Sequence, residues 1–164
     1  MFTKLSGDYI SNRAWFKDVI GTDREDMILC HTSALECLQL FSGYMNEKNI
    51  DVYAKKKGIY ENVNYRIIND FNDVDKIQVG DLLCTSVNQT INDMLNDFDN
   101  TDEQALIQAL SKYYHTNNNS FDGLIIKPEN IDFFNHIKDW ASEYYNERRV
   151  ANDGAGKIHV SNIR

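Results

Sequence analysis

The sequence has few of the residues that would place it in a specialised structural class. It contains three cysteines, which have neither the even count of a disulfide framework nor the Cys-x-x-Cys spacing of a zinc site. It contains a single proline, Pro128, and no apolar run long enough to span a membrane. We therefore expect a cytoplasmic protein with no metal, no cofactor and no membrane contact.

The sequence signatures of several common enzyme sites are also missing. There is no phosphate-binding loop, no dinucleotide glycine pattern, no Gly-x-Ser-x-Gly elbow and no His-Glu-x-x-His. Acidic residues outnumber basic ones by 25 to 17, and the formal net charge is −8. Such a chain gains little from a phosphate backbone, so no direct binding of nucleic acid is expected. An acidic surface either favours solubility or meets a basic protein partner.

What the sequence does contain is the pattern of a mixed domain. Its 164 residues are enough to bury a substantial core. Alternating or continuous apolar residues predict strands at 27–30, 49–54, 63–67 and 77–84, and residues 49–69 suggest a hairpin-like pair. Helical spacing predicts helices at 9–20 and after Ser33, Ser86, Thr101 and Pro128. We predict one α+β domain over residues 1–150, with a small mixed β-sheet of about four or five strands packed by about five α-helices. Residues 151–164 are expected to form a polar C-terminal tail.

Three of the helix starts have the spacing of a capping box. In this motif a Ser or Thr hydroxyl accepts from a backbone N–H three residues on, where a Glu or Gln side chain reaches back. The pairs are Ser33 with Glu36, Ser86 with Gln89, and Thr101 with Gln104.

A few residues could carry chemistry. A carboxylate that holds a metal beside a lysine that steadies a phosphate is typical of small nucleases, and Glu36, Asp51 and Lys55 are the candidate catalytic residues for such a site. His31 lies at a strand-to-helix turn, where an acid/base group could stand. Each also has a structural explanation: a helix cap for Glu36, an exposed strand face for Asp51, a turn for Lys55 and a partly buried ring for His31.

A protein-binding surface is the other candidate. Four acidic residues cluster around one helix start and form the acidic corner: Asp97, Asp99, Asp102 and Glu103. The last predicted helix has more aromatic residues than one buried stripe needs, so Trp140 and Tyr144 are candidates for an exposed contact surface.

Two segments of the chain resemble a known family. Residues 32–43 read Thr-Ser-Ala-Leu-Glu-Cys-Leu-Gln-Leu-Phe-Ser-Gly, and residues 85–95 read Thr-Ser-Val-Asn-Gln-Thr-Ile-Asn-Asp-Met-Leu. Their order and separation are similar to those of AbiEi-type antitoxins, the antitoxin half of an abortive-infection toxin–antitoxin system. The resemblance covers residues 27–115. It rests on seven motif positions: Ser33, Glu36, Thr85, Ser86, Gln89, Thr90 and Asp93.

The resemblance implies a function as well as a fold. The family usually carries an N-terminal winged-helix DNA-binding domain, for which residues 1–26 are too short, so only the antitoxin-like C-terminal domain is expected to carry over. Its implied partner is a nucleotidyltransferase-like toxin, and an adjacent gene is the candidate to encode it. We therefore expect a non-catalytic protein-binding component of a bacterial or phage toxin–antitoxin or defence module. A small metal-dependent nuclease or phosphoryl-transfer enzyme is the alternative, and a phage-encoded inhibitor of a host nuclease is a second alternative.

Overall fold

The computed structural model describes residues 26–42 and 49–154, with side chains up to Tyr144. The predicted α+β class is confirmed, with a mixed sheet of five strands. These are β1 (Met27–Leu29), β2 (Ile50–Ala54), β3 (Val63–Ile67), β4 (Lys76–Val79) and β5 (Leu82–Thr85).

The described ranges contain four α-helices, against about five expected. They are α1 (His31–Cys37), α2 (Val87–Asn96), α3 (Glu103–Thr116) and α4 (Ile131–Gly154). The helix expected at 9–20 lies outside the described residues. Pro128 opens a 3₁₀ turn, Pro128–Asn130, that leads into α4, where its missing N–H costs nothing. Because α4 continues to Gly154, it includes the first four residues of the segment expected to be a tail.

The sheet has the strand order β3-β2-β1-β5-β4. β1 is central and entirely apolar, and it pairs antiparallel with β2 and parallel with β5. β4 and β5 form a tight antiparallel hairpin at Gly80, whose φ of 65° favours glycine. The sequence of the strand predicted at 77–84 allows either a bulge or a break at Gly80, and the structure has the turn between two strands there.

The pairing of β2 with β3 differs from the expected hairpin. The two strands are parallel, with Ile50 opposite Val63 and Ala54 opposite Ile67. Residues 55–62 connect them, so the chain must return along the length of β2, roughly 13 Å at the usual rise per strand residue. Eight residues can cover that distance in extended form, although parallel strands usually have a longer connection that contains a helix. We call residues 55–62 the crossover loop.

Two apolar clusters form the core. One lies on the sheet and includes Val52 and Cys84, and the other lies among the helices and includes Ile91, Met94 and Leu106. Helix α1 contributes to both, because Ala34 and Cys37 pack on the sheet while Leu35 packs among the helices. Among the described residues, no helix has both the length and the apolar character needed to cross a membrane.

Candidate functional site

The two similar strand-to-helix segments lie side by side. Because β1 and β5 are parallel neighbours, both segments leave the sheet at the same edge, where they enter α1 and α2. β2 runs the opposite way and begins at this edge, where Cys30 N–H donates to the Asp51 carbonyl oxygen at 3.0 Å. The polar residues of both segments therefore meet the start of β2.

His31 begins α1 in an unusual conformation. Its φ is 48°, in the left-handed region that few non-glycine residues adopt. The side chain is 4% exposed, its ring packs edge-on to Tyr53, and its Nδ1 atom has no hydrogen-bond partner. Burial, together with the nearby positive charge of Arg66, lowers the pKa of His31 to about 4. The imidazole is therefore neutral at pH 7.

The capping box predicted at Ser33 and Glu36 is wrong. The helix begins three residues earlier, its N-cap is Cys30 in place of Ser33, and no side chain caps it. Ser33 is buried within the helix, and its Oγ accepts from Asp51 N–H at 2.8 Å. This motif serine thus joins α1 to β2.

A network of charged and polar groups lies on one face of β2 and β3. Asn64 donates from its side-chain amide to Asp51 at 3.1 Å, and an Arg66 nitrogen lies 3.9 Å from the same carboxylate. Arg66 also donates to Asp97 Oδ2 at 2.9 Å. Burial raises the pKa of Asp51, while hydrogen bonds from Asn64 and the charge of Arg66 oppose that shift. Arg66 is a central residue of the site that the sequence-based prediction missed.

Beside this network lies a polar cavity of about 190 Å³. Glu36, Asp51 and Asp102 line it together with His31 and Arg66. Two of the three candidate catalytic residues are therefore brought together.

Lys55 does not belong to this cavity. It follows the far end of β2 and lines a different cavity. Among the residues that the structure describes, no group of three or more His, Cys, Asp or Glu side chains could hold a metal ion.

The second motif segment is held by its own polar residues. Ser86 caps α2 as predicted, accepting from Gln89 N–H at 3.2 Å. The Gln89 side chain does not reach back but donates to Asp93 Oδ1 at 2.8 Å. The hydroxyls of Thr85 and Thr90 lie 2.6 Å apart and are buried. These contacts fix the first turns of α2 against β5.

The motif residue Asp93 is half-buried. Tyr53 Oη donates to Asp93 Oδ2 at 2.7 Å, which links α2 to β2. Burial raises the pKa of the Asp93 carboxyl, and hydrogen bonds from Tyr53 and Gln89 oppose the shift. Burial, with the hydrogen bond to Asp93, also raises the pKa of Tyr53.

The four residues of the acidic corner divide into two pairs. Asp97 binds Arg66, and a hydrogen bond from Asn100, with Arg66 adding to it, lowers the pKa of Asp97. Asp102 is the N-cap of α3, accepting from Ala105 N–H at 3.0 Å. Asp99 and Glu103 are exposed. Asp97 and Asp102 thus make contacts within the fold, whereas Asp99 and Glu103 face solvent.

The helix start predicted at Thr101 is wrong by one residue. Its hydroxyl does not cap α3 but donates to the carbonyl oxygens of Met94 and Asp97, at 3.1 and 2.8 Å. Thr101 therefore holds the end of α2 and the turn before α3 together.

Aromatic residues of α4 adjoin the acidic corner. The rings of Phe98 and Phe133 are 4.5 Å apart, and Phe98 lies between Asp97 and Asp99 in sequence. Phe133, Trp140 and Tyr144 are spaced by seven and eleven residues, which places them on one face of the helix. Trp140 is 53% exposed, and Tyr144 is partly buried. The rise of a helix puts Trp140 about 10 Å along α4 from Phe133.

The buried neutral His31 predicts a pH-dependent stability. Because its pKa is about 4 when folded and about 6.5 when unfolded, the unfolded chain binds the proton more tightly between these values. When the pH is lowered from 7 to 5, the free energy of unfolding should fall by about 2 kcal/mol more for the wild type than for the His31→Asn variant. Asparagine tolerates the left-handed backbone and does not titrate.

Urea unfolding at the two pH values measures this difference. The raised pKa values of Asp51 and Asp93 favour the folded state at low pH, but both proteins share that contribution, so it cancels in the comparison. Equal pH dependence in the two proteins would show that His31 is not buried in the neutral form.

Comparisons with known proteins add no relative: no protein-family model matches the chain, and a search of curated proteins finds no significant match.

Proposed function

We propose that this chain is a non-catalytic, protein-binding component of a bacterial or phage toxin–antitoxin or defence module. It would neutralise a toxin or nuclease by covering a basic site on that partner. The single observation that carries this proposal is the contact between Phe98, which lies between Asp97 and Asp99 in sequence, and Phe133, on the face of α4 that also has the exposed Trp140. Exposed charge next to an exposed aromatic anchor is a common composition for a binding surface.

The distribution of charge within the corner supports this proposal. Asp97 and Asp102 are bound within the fold, to Arg66 and to the first turn of α3. Asp99 and Glu103 remain exposed to meet a basic surface. Opposite charges would speed the encounter, and burial of Trp140 would supply affinity.

Two of the motif residues have structural roles. Ser33 and Asp93 bind β2 directly, so these two positions of the resemblance hold α1 and α2 onto the sheet. Such motif residues would maintain the fold, whereas the exposed surface would determine which partner binds. The proposed partner is therefore a basic protein, and a nucleotidyltransferase-like toxin fits that description.

A growth assay tests the antitoxin proposal. The products of the genes on either side are expressed singly and together with this chain. We expect one of them to arrest growth alone and not in the presence of this chain. If neither neighbour is toxic, or if this chain does not relieve the arrest, the antitoxin role is wrong.

The rival enzyme function has one observation in its favour, the shared cavity of Glu36 and Asp51 beside Arg66. Two carboxylates and a guanidinium are suitable groups for phosphoryl transfer. The test is incubation with DNA, RNA and nucleotides in the presence of Mg²⁺ or Mn²⁺, repeated with Asp51→Ala. Activity that the substitution abolishes in a folded protein would favour the enzyme. A phage-encoded inhibitor of a host nuclease would use the same binding surface and differ only in its target.

A further inference from the structure

The crossover loop bounds a second cavity, of about 580 Å³, at the far end of β2 from the polar site. Its geometry follows from the parallel pairing of β2 and β3. A short connection that must return along β2 leaves space between itself and the sheet. A volume in this range is typical of small-molecule sites, which usually measure about 300–1,000 Å³.

Part of the cavity lining is apolar and held in place by the fold. Met27 and Ala54, both buried, lie in the floor. Tyr60 and Tyr65 line the walls and pack against the sheet core, and Tyr60 N–H donates to Tyr65 Oη at 3.3 Å. A Cβ added at Gly58 would overlap the Tyr65 ring, so the loop fits closely against this wall. The aromatic walls are thus held in place without a ligand.

The rim of the cavity is basic in an acidic protein. Lys55, Lys56 and Lys57 line it with one acidic residue, Asp26. Lys55 Nζ lies 5.3 Å from the centre of the Phe71 ring, which holds its charge near the sheet. Lys56 is exposed. The lining therefore has a net positive charge, although the chain has a formal net charge of −8.

We propose that this cavity binds a small anion with a planar ring, of the nucleoside phosphate class. Lysines are common phosphate ligands, and tyrosine rings stack on bases of any type. An inorganic phosphate alone would fill only a small part of the cavity and would not use its apolar walls. A long nucleic acid would be repelled by the rest of the acidic surface. This proposal does not depend on the proposed protein-binding function, because the two sites use different residues.

Isothermal titration calorimetry with adenosine 5′-monophosphate tests the proposal, with adenosine and inorganic phosphate titrated separately. We expect the nucleotide to bind at least tenfold more tightly than either part. Lys56→Ala should weaken nucleotide binding about fivefold or more, whereas Lys127→Ala, which removes an exposed lysine that does not line the cavity, should leave it unchanged. Neither substitution removes a buried group, so both variants should remain folded.

Three outcomes would overturn the proposal. The first is the absence of nucleotide binding. The second is equal affinity for inorganic phosphate, which would leave the aromatic walls without a role. The third is an equal response to Lys56→Ala and Lys127→Ala, which would place the binding elsewhere on the surface.

Discussion

Leu35→Ala is expected to lower the free energy of unfolding by about 3 kcal/mol. Leu35 is fully buried and packs among the helices, whereas its neighbours Ala34 and Cys37 in the same helix pack on the sheet. Truncation would remove apolar contacts and leave a cavity where α1 joins the two parts of the core. Small domains are stable by only about 5–15 kcal/mol, so this change would be a large fraction of the total.

Urea unfolding monitored by circular dichroism measures the effect of Leu35→Ala. The matched control is Ile125→Ala, which removes an apolar side chain that is 70% exposed and should change the stability by less than about 0.5 kcal/mol. Similar losses in the two variants would contradict the placement of α1 between the two clusters.

The second large effect concerns binding. Reversing the two exposed charges of the acidic corner, in the double variant Asp99→Lys and Glu103→Lys, should weaken the complex with a basic partner about 100-fold at low salt. The two new lysines would face like charges on the partner, and the wild-type attraction would be lost as well. Because both side chains are exposed, the fold should be retained, with a loss of about 1 kcal/mol from removing the acidic residue in the first turn of α3. High salt should reduce the difference in affinity for the partner between the variant and the wild type.

Titration calorimetry with the purified partner measures this effect. The matched control is the double variant Glu61→Lys and Asp73→Lys, which makes the same change in net charge at exposed positions on the crossover loop and before β4. It should weaken binding by less than threefold, since only overall charge would be altered. If both double variants bind the partner with the affinity of the wild type, the electrostatic part of the proposal is contradicted.

The sequence predicts the strands of this fold better than their pairing. Alternation of apolar residues depends only on one buried face, and it locates β2 and β3 correctly. Nothing in that pattern records strand direction. Lys-Lys-Lys-Gly at 55–58 is typical of a tight turn, which favoured a hairpin. In the parallel arrangement the same residues begin the crossover loop and line its cavity. The long-range register of two strands had no local signal in this case.

Helix starts show the same limit at a finer scale. Ser33 and Glu36 have capping spacing, but the left-handed His31 lets the helix begin earlier, and Ser33 then bonds to β2. Histidine adopts a left-handed backbone more often than most non-glycine residues do, but still too rarely for the sequence alone to predict it at His31. At Ser86 no such conflict exists, and the predicted cap is formed.

The membership of the site was predictable only in part, and its arrangement was not predictable. Glu36 and Asp51 could be selected because carboxylates after and within apolar strands are suitable chemical groups. Arg66 was missed because its importance depends on Asp51 and Asp97, which are 15 and 31 residues away along the chain. Its alternation with Asn64 on β3 was the only signal available. The proximity of Phe98 to Phe133 likewise arises from the packing of the helices and from no local pattern.

Co-purification from the native host is the most direct test of the protein-binding proposal. Tagged wild type and the double variant Asp99→Lys and Glu103→Lys are recovered side by side, and the bound proteins are identified and quantified by mass spectrometry. The proposal predicts one basic protein in stoichiometric amount with the wild type and its loss with the variant. Recovery of the wild type with no partner, or of the same partner in equal amount with both proteins, would contradict it.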